Sequence, residues 1–138
     1  MAAAAPVNPR SDADAGADPF RRPRFFESYV YPCDGWTVLE FGGELDAASA
    51  AAMRTALEAA LASVRPRLVV DLSRAQFLDS SGFRAIARAG TEARTRGGTL
   101  RLVCPSGVVA DRLRLLNPAP GVAVAADVYS AMAATDAG

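Results

Sequence analysis

Histidine and lysine are both missing from the 138 residues, and each absence closes off chemistry. Without histidine, the chain lacks the commonest general base and the commonest metal ligand. Without lysine, it cannot form the Walker-type phosphate loop that ends in Lys-Ser or Lys-Thr. Cysteine is scarce: Cys33 and Cys104 lie far apart, match no metal-ligand spacing and are expected to be reduced thiols. An excess of either charge is missing too. Fifteen acidic and fifteen basic residues cancel, so the whole-chain field favours neither nucleic acid nor a basic partner. No apolar run approaches the roughly 20 residues that cross a bilayer. Met1–Pro6 has neither the basic stretch nor the apolar stretch of an export signal. These absences predict a cytoplasmic chain with no cofactor, no metal, no direct nucleic-acid contact and no direct membrane insertion. Catalysis is not expected either. Ser81 lacks the Gly-x-Ser-x-Gly elbow of a serine hydrolase, and no histidine exists to activate it.

What is present reads as one α/β domain. All the basic residues are arginine and alanine is abundant, a coding bias of a GC-rich genome. Residues 1–23 are rich in Ala, Pro, Asp and Arg without apolar period, and are expected to form a disordered tail before a domain spanning 24–135. Strands are expected over Arg24–Tyr31 and Trp36–Glu44, joined as a hairpin by Pro32-Cys33-Asp34-Gly35. Asp46 can cap a helix to about Ser63, with Ala50, Met53, Leu57, Leu61 and Val64 on its apolar stripe. Pro66 restricts Arg65 and ends that helix. Leu68-Val69-Val70 has the unbroken apolar run of a strand covered on both faces.

After a short loop passing Phe77, a second helix is expected over Ser81–Arg96. It turns Phe83, Ile86, Ala87, Gly90 and Ala93 inward, with Glu92 within reach of Arg88 and Arg96, and Gly97-Gly98 stops it. A strand at Leu100–Cys104 follows. Then come a helix capped by Ser106 and carrying Val109, Leu113 and Leu116, a strand at Val122–Val124, and a terminal helix capped by Asp127 with Val128, Tyr129 and Met132. The fold class is therefore α/β, an N-terminal β-hairpin leading into a mostly parallel sheet with helices packed on it.

The most informative stretch is Asp79-Ser80-Ser81-Gly82, which opens the second helix. It sets two hydroxyls at a helix N-terminus, where unpaired N–H groups and the dipole favour a negative group. Plain capping by Asp79 or Ser80 also accounts for it. Its neighbours add to this. Gly43-Glu44-Leu45-Asp46, Val70-Asp71-Leu72-Ser73, Phe77-Leu78-Asp79-Ser80-Ser81-Gly82 and Gly97-Gly98-Thr99-Leu100-Arg101-Leu102-Val103 stand in an order and spacing that resembles the STAS domain of bacterial anti-sigma factor antagonists.

That resemblance implies a phospho-switch without enzymatic activity. It makes Ser81 the phosphoacceptor and places Asp46, with Asp79, Ser80, Gly82, Phe83 and Arg84, on the partner-binding face. The implied partners are an anti-sigma factor with serine kinase activity, bound when Ser81 is unphosphorylated, and a serine phosphatase that resets the switch. Two segments depart from the family pattern: Phe83-Arg84 after the glycine, and Asn117–Gly121 before the last strand. The first borders Ser81 and bears on partner identity. Arg84 and Arg88 read first as a solvated helix face; Arg84 lies three residues after Ser81, on nearly the same face, which gives pairing with a phosphate there as a second reading. Other STAS chains suggest two alternatives, a non-phosphorylated subunit of a membrane lipid-transport or transporter complex, and a stress-sensing scaffold subunit. Only the switch requires the intact Asp79–Gly82 sequence.

Overall fold

The computed structural model describes residues 25–105, 107–116 and 124–134. The expected tail, the Ser106 cap, the Asn117–Gly121 connection and the start of the last strand lie outside the described residues. The elements are β1 (Glu27–Cys33), β2 (Trp36–Leu45), α1 (Ala47–Leu61), β3 (Arg67–Asp71), β4 (Ala75–Leu78), α2 (Ser80–Thr95), β5 (Thr99–Val103), α3 (Val108–Leu116), β6 (Val124–Ala125) and α4 (Val128–Ala133). The expected fold class holds. The sheet runs β1-β2-β3-β5-β6, with only the β1–β2 pair antiparallel.

The hairpin turn is tighter than the sequence suggested. Cys33 pairs with Trp36, so only Asp34 and Gly35 remain in the loop, both at positive φ. That is the geometry of a two-residue primed turn, whose twist matches the flanking strands. Pro32 is accommodated inside β1 because this strand forms the sheet edge.

Side-chain alternation assigns each strand two faces. Leu39, Phe41, Leu68, Val70, Leu100 and Leu102 meet α1, α2 and α3 in the larger core, with Met53, Leu57, Ile86 and Leu113. Trp36, Val38, Val69 and Val103 point the other way and are covered by Ala131, Val128 and Met132 of α4. The buried Arg101 joins this second layer. Its guanidinium lies 4.9 Å from the Trp36 ring and donates to the Ala131 carbonyl at 2.6 Å, which fastens α4 down.

Several local expectations need correction. The segment at Phe77 is not a loop: Ala75–Leu78 is a short parallel strand on the far end of β2. Four residues carry too little pattern to identify such a strand, and its partner supplies the register. Val64 is 91% exposed, because α1 ends at Leu61, and Arg65 adopts positive φ rather than the extended conformation common before proline. Tyr129 is also exposed, and Ala131 takes the inward place. On α2, Ala85 and Ala89 are buried beside Ile86, while Phe83 and Ala87 are half-buried. Glu92 pairs with Arg96 at 2.8 Å, and not with Arg88.

Candidate functional site

The site originates in the register between β2 and β4. Leu45 pairs with Leu78, so the next residue of each chain segment, Asp46 and Asp79, leaves the sheet at the same end. Each then caps a helix. Asp46 opens α1 through a capping box: its Oδ1 accepts from the Ser49 amide at 3.1 Å, and Ser49 Oγ accepts from the Asp46 amide at 2.9 Å. Asp79 opens α2, and its Oδ1 accepts from the amides of Ser81 at 2.8 Å and Gly82 at 3.1 Å. Asp79, and not Ser80, is thus the N-cap. The two segments are also joined directly, by the Asp79 amide donating to the Leu45 carbonyl at 3.1 Å.

Two glycines permit this closeness. A Cβ on Gly82 would stand 2.5 Å from the Leu45 carbonyl oxygen, a backbone atom that the sheet holds in place. Gly43 has φ +82° and passes the Phe25 carbonyl so closely that a Cβ would lie 2.1 Å from it. The Gly-Glu-Leu-Asp and Asp-Ser-Ser-Gly motifs are therefore complementary parts of one junction.

Of the residues expected at the site, the structure brings Asp46, Asp79, Ser80, Ser81 and Gly82 together. Ser80 is exposed and Ser81 half-buried. Ser81 lies on an open concavity of about 250 Å³ between α1 and α2, lined also by Ala47, Ala50, Arg54, Arg84, Ala85 and Arg88. Phe83 does not line it; the ring packs at the border of the larger core. One electrostatic expectation is revised. Two of the α2 amides expected to favour an anion at Ser81, those of Ser81 and Gly82, already donate to the Asp79 carboxylate.

Two site residues escaped the sequence reading. Arg54 belongs to α1 and lines the concavity because positions 47, 50 and 54 share one helix face. That spacing is visible in the sequence, but nothing local shows that α2 packs beside it. Arg112 of α3 donates from Nε to the Leu78 carbonyl at 3.2 Å, beside the start of α2, a tertiary contact with no local signature. Among the described residues, no group of three or more Cys, Asp or Glu side chains is placed to hold a metal.

Comparison with known proteins bears directly on this junction. The STAS domain family matches residues 30–131, which contain both motifs. The chain belongs to the STAS family. A STAS chain of this shape is similar to an anti-sigma factor antagonist from Mycobacterium paratuberculosis, with 25% identity, a TM-score of 0.72, and coverage of 81% of this chain and 95% of that one. It also resembles an anti-sigma-factor antagonist (STAS) domain protein from Planctomyces limnophilus, at 15% identity and TM-score 0.67, covering 76% of this chain and 94% of that one. A third similar structure is the Bacillus cell fate determinant SpoIIAA in its phosphorylated form, at 21% identity and TM-score 0.58, covering 78% and 96%. The last two likenesses concern the fold. Among curated proteins, no sequence matches the chain. Among the described residues of this STAS domain, no helix is long and apolar enough to cross a membrane.

Proposed function

We propose that this STAS domain is a cytoplasmic, non-enzymatic anti-sigma factor antagonist switched by phosphorylation of Ser81. The reading rests chiefly on one observation: the Leu45–Leu78 pairing sets Asp46 beside an Asp-Ser-Ser-Gly helix start, with Ser81 on an accessible concavity. In its unphosphorylated form the chain binds an anti-sigma factor with serine kinase activity, through a face comprising Asp46, Asp79, Ser80, Gly82, Phe83 and Arg84. In the transfer, a bond forms between Ser81 Oγ and the γ-phosphorus of ATP, and the bond to the bridging oxygen breaks. ADP leaves, and the hydroxyl proton passes to a base on the kinase. A serine phosphatase reverses the modification by hydrolysis.

The physics of release is simple. Phosphoserine carries about −1.5 to −2 charges near neutral pH. A partner carboxylate about 4 Å away would be repelled by roughly 4 kcal/mol per unit charge at an effective dielectric near 20. That repulsion amounts to about three decades of affinity.

The test is to incubate the full chain with ATP and the kinase-type anti-sigma factor encoded nearest its gene, then map the modified residue by mass spectrometry. Phosphate on Ser81 is expected. Ser81→Ala should bind the partner and resist modification, whereas Ser81→Asp should fold and bind poorly. Modification of Ser80 alone would overturn the residue assignment. If the kinase modifies another substrate but leaves this chain untouched, the non-phosphorylated docking subunit becomes the better reading.

A further inference from the structure

Two backbone amides at the start of α2 are not free to receive the charge that the proposed modification would add. The amides of Ser81 and Gly82 already donate to Asp79, whose carboxylate is a like charge adjoining the phosphate. Asp46 supplies a second carboxylate at the neighbouring helix start. A dianion placed on Ser81 therefore meets an environment that is locally unfavourable, unless cations reach it from elsewhere.

They are present. Arg84 and Arg88 of α2 and Arg54 of α1 line the same concavity as Ser81, and its floor is alanine: Ala47, Ala50 and Ala85. The small floor leaves space where a larger side chain would have filled the contact between the helices. All three arginines are exposed, and among the described residues none of them forms an ion pair or a side-chain hydrogen bond. Other arginines are engaged: Arg96 with Glu92, Arg101 with the Ala131 carbonyl, and Arg112 with the Leu78 carbonyl. Three unpaired cations are thus gathered from two helices around the one hydroxyl proposed for modification.

We propose that the phosphate of Ser81 is held by the protein's own Arg54, Arg84 and Arg88, so that phosphorylation closes the cleft between α1 and α2. The inference rests on the reading of Ser81 as phosphoacceptor and concerns how the modified state is stabilised. Each guanidinium offers a planar fork of donors suited to phosphate oxygens. Three such charges exceed the charge of about −1.5 to −2 on the phosphoserine. The unmodified protein presents a basic cleft to its partner, and the modified protein fills that cleft from within. Release then comes from self-occupation as well as from repulsion.

The experiment installs phosphoserine at position 81 of the full chain during translation, so no kinase is needed. Titration by phosphorus-31 NMR reads the second phosphate ionisation, which is ordinarily near pH 6. Cations around the group favour the dianion, so the midpoint in this protein is expected about one pH unit lower, a tenfold preference. The groups facing the phosphate are Arg54 from α1, Arg84 and Arg88 from α2, and the carboxylates of Asp46 and Asp79, with Arg112 of α3 beside the helix start. Arg54→Gln should recover part of the shift, and Arg54→Gln with Arg84→Gln most of it. Because these side chains are exposed, thermal melting of the unphosphorylated variants should match the parent.

A midpoint at or above the ordinary value in the parent would overturn the proposal. So would a lowered midpoint that survives glutamine at Arg54, Arg84 and Arg88 together, since the helix start and not the arginines would then be responsible. A kinase that ignores Ser81 while the installed phosphate titrates low would defeat the functional reading and leave this one standing.

Discussion

At the scale of single residues, the chain is most exacting where backbone meets backbone. Gly82→Ala is expected to be costly, since its Cβ would lie 2.5 Å from a sheet carbonyl that cannot give way. It should lower stability by more than about 2 kcal/mol, as large effects of this kind come from steric overpacking. Urea unfolding checks this, and a variant as stable as the parent would mean that the β2–α2 junction is looser than described. Phe83 shows the opposite lesson. Helical spacing marked it as a core residue, and the structure sets it half-buried at the core's border. Full burial would make Phe83→Ala cost about 3–5 kcal/mol. Partial burial lowers the expectation to about 2 kcal/mol, in the same urea assay. Periodicity identifies which face a residue occupies, but not how far the neighbouring element extends over it. The caps were easier to read because they are local: Asp46, Asp79 and Asp127 each hold an amide two or three residues onward.

At the scale of elements, the readable segments were those with their own pattern. β2 and β3 alternate or run apolar, α1 repeats its apolar residues at three and four, and all three survive in the structure apart from their ends. β4 was missed because its identity is borrowed from β2, through pairing that no four-residue window encodes. α4 is another dependent element: six residues are too short to persist alone. It is held by Asp127 at its start and by Arg101 from beneath. Hydrogen bonds from the Ser130 amide, and secondarily from its hydroxyl, hold the Asp127 carboxyl below the usual aspartate range. A depressed native pKa contributes stability above the unfolded value, near pH 3.9, and loses it as pH falls through the native value. Amide exchange in α4 should therefore change little, on this account, between pH 7 and about pH 5 once intrinsic rates are corrected. Protection should fall only below about pH 4. Asp127→Asn keeps a capping oxygen without that titration, so its acid-limb loss should be smaller. Equal loss in both proteins would place the acid sensitivity elsewhere.

At the scale of the whole molecule, the sheet acts as a partition. The alternation of β2 and β3 announced two covered faces, yet nothing local said which helix would cover which. That assignment depends on the crossovers, and on Arg101 reaching the Ala131 carbonyl thirty residues along the chain. The functional junction was legible as motifs in order, and Arg84 of its arginine rim through helical spacing, while Arg54 was not, because Arg54 and Ser81 meet only when α1 and α2 pack together. The partition also governs the thiols. Cys104 belongs to the larger core, whereas Cys33 packs against the Trp36 layer on the opposite side. Neither forms a disulfide, and a bond between them would have to cross the sheet. Burial, and secondarily the Asp34 carboxylate, pushes the Cys33 thiol above its ordinary pKa. Thiolate is the reacting form, so native protein at pH 8 should alkylate slowly at Cys33, and Cys104, which is buried, should remain unmodified. Asp34→Asn should speed the first reaction modestly by removing a like charge from the developing thiolate. In denaturant both positions should label, and non-reducing mass spectrometry should find no mass loss from a disulfide. Rapid native labelling of Cys104 would instead mean that the larger core opens readily, a result the continuous packing from Leu39 to Leu113 does not allow.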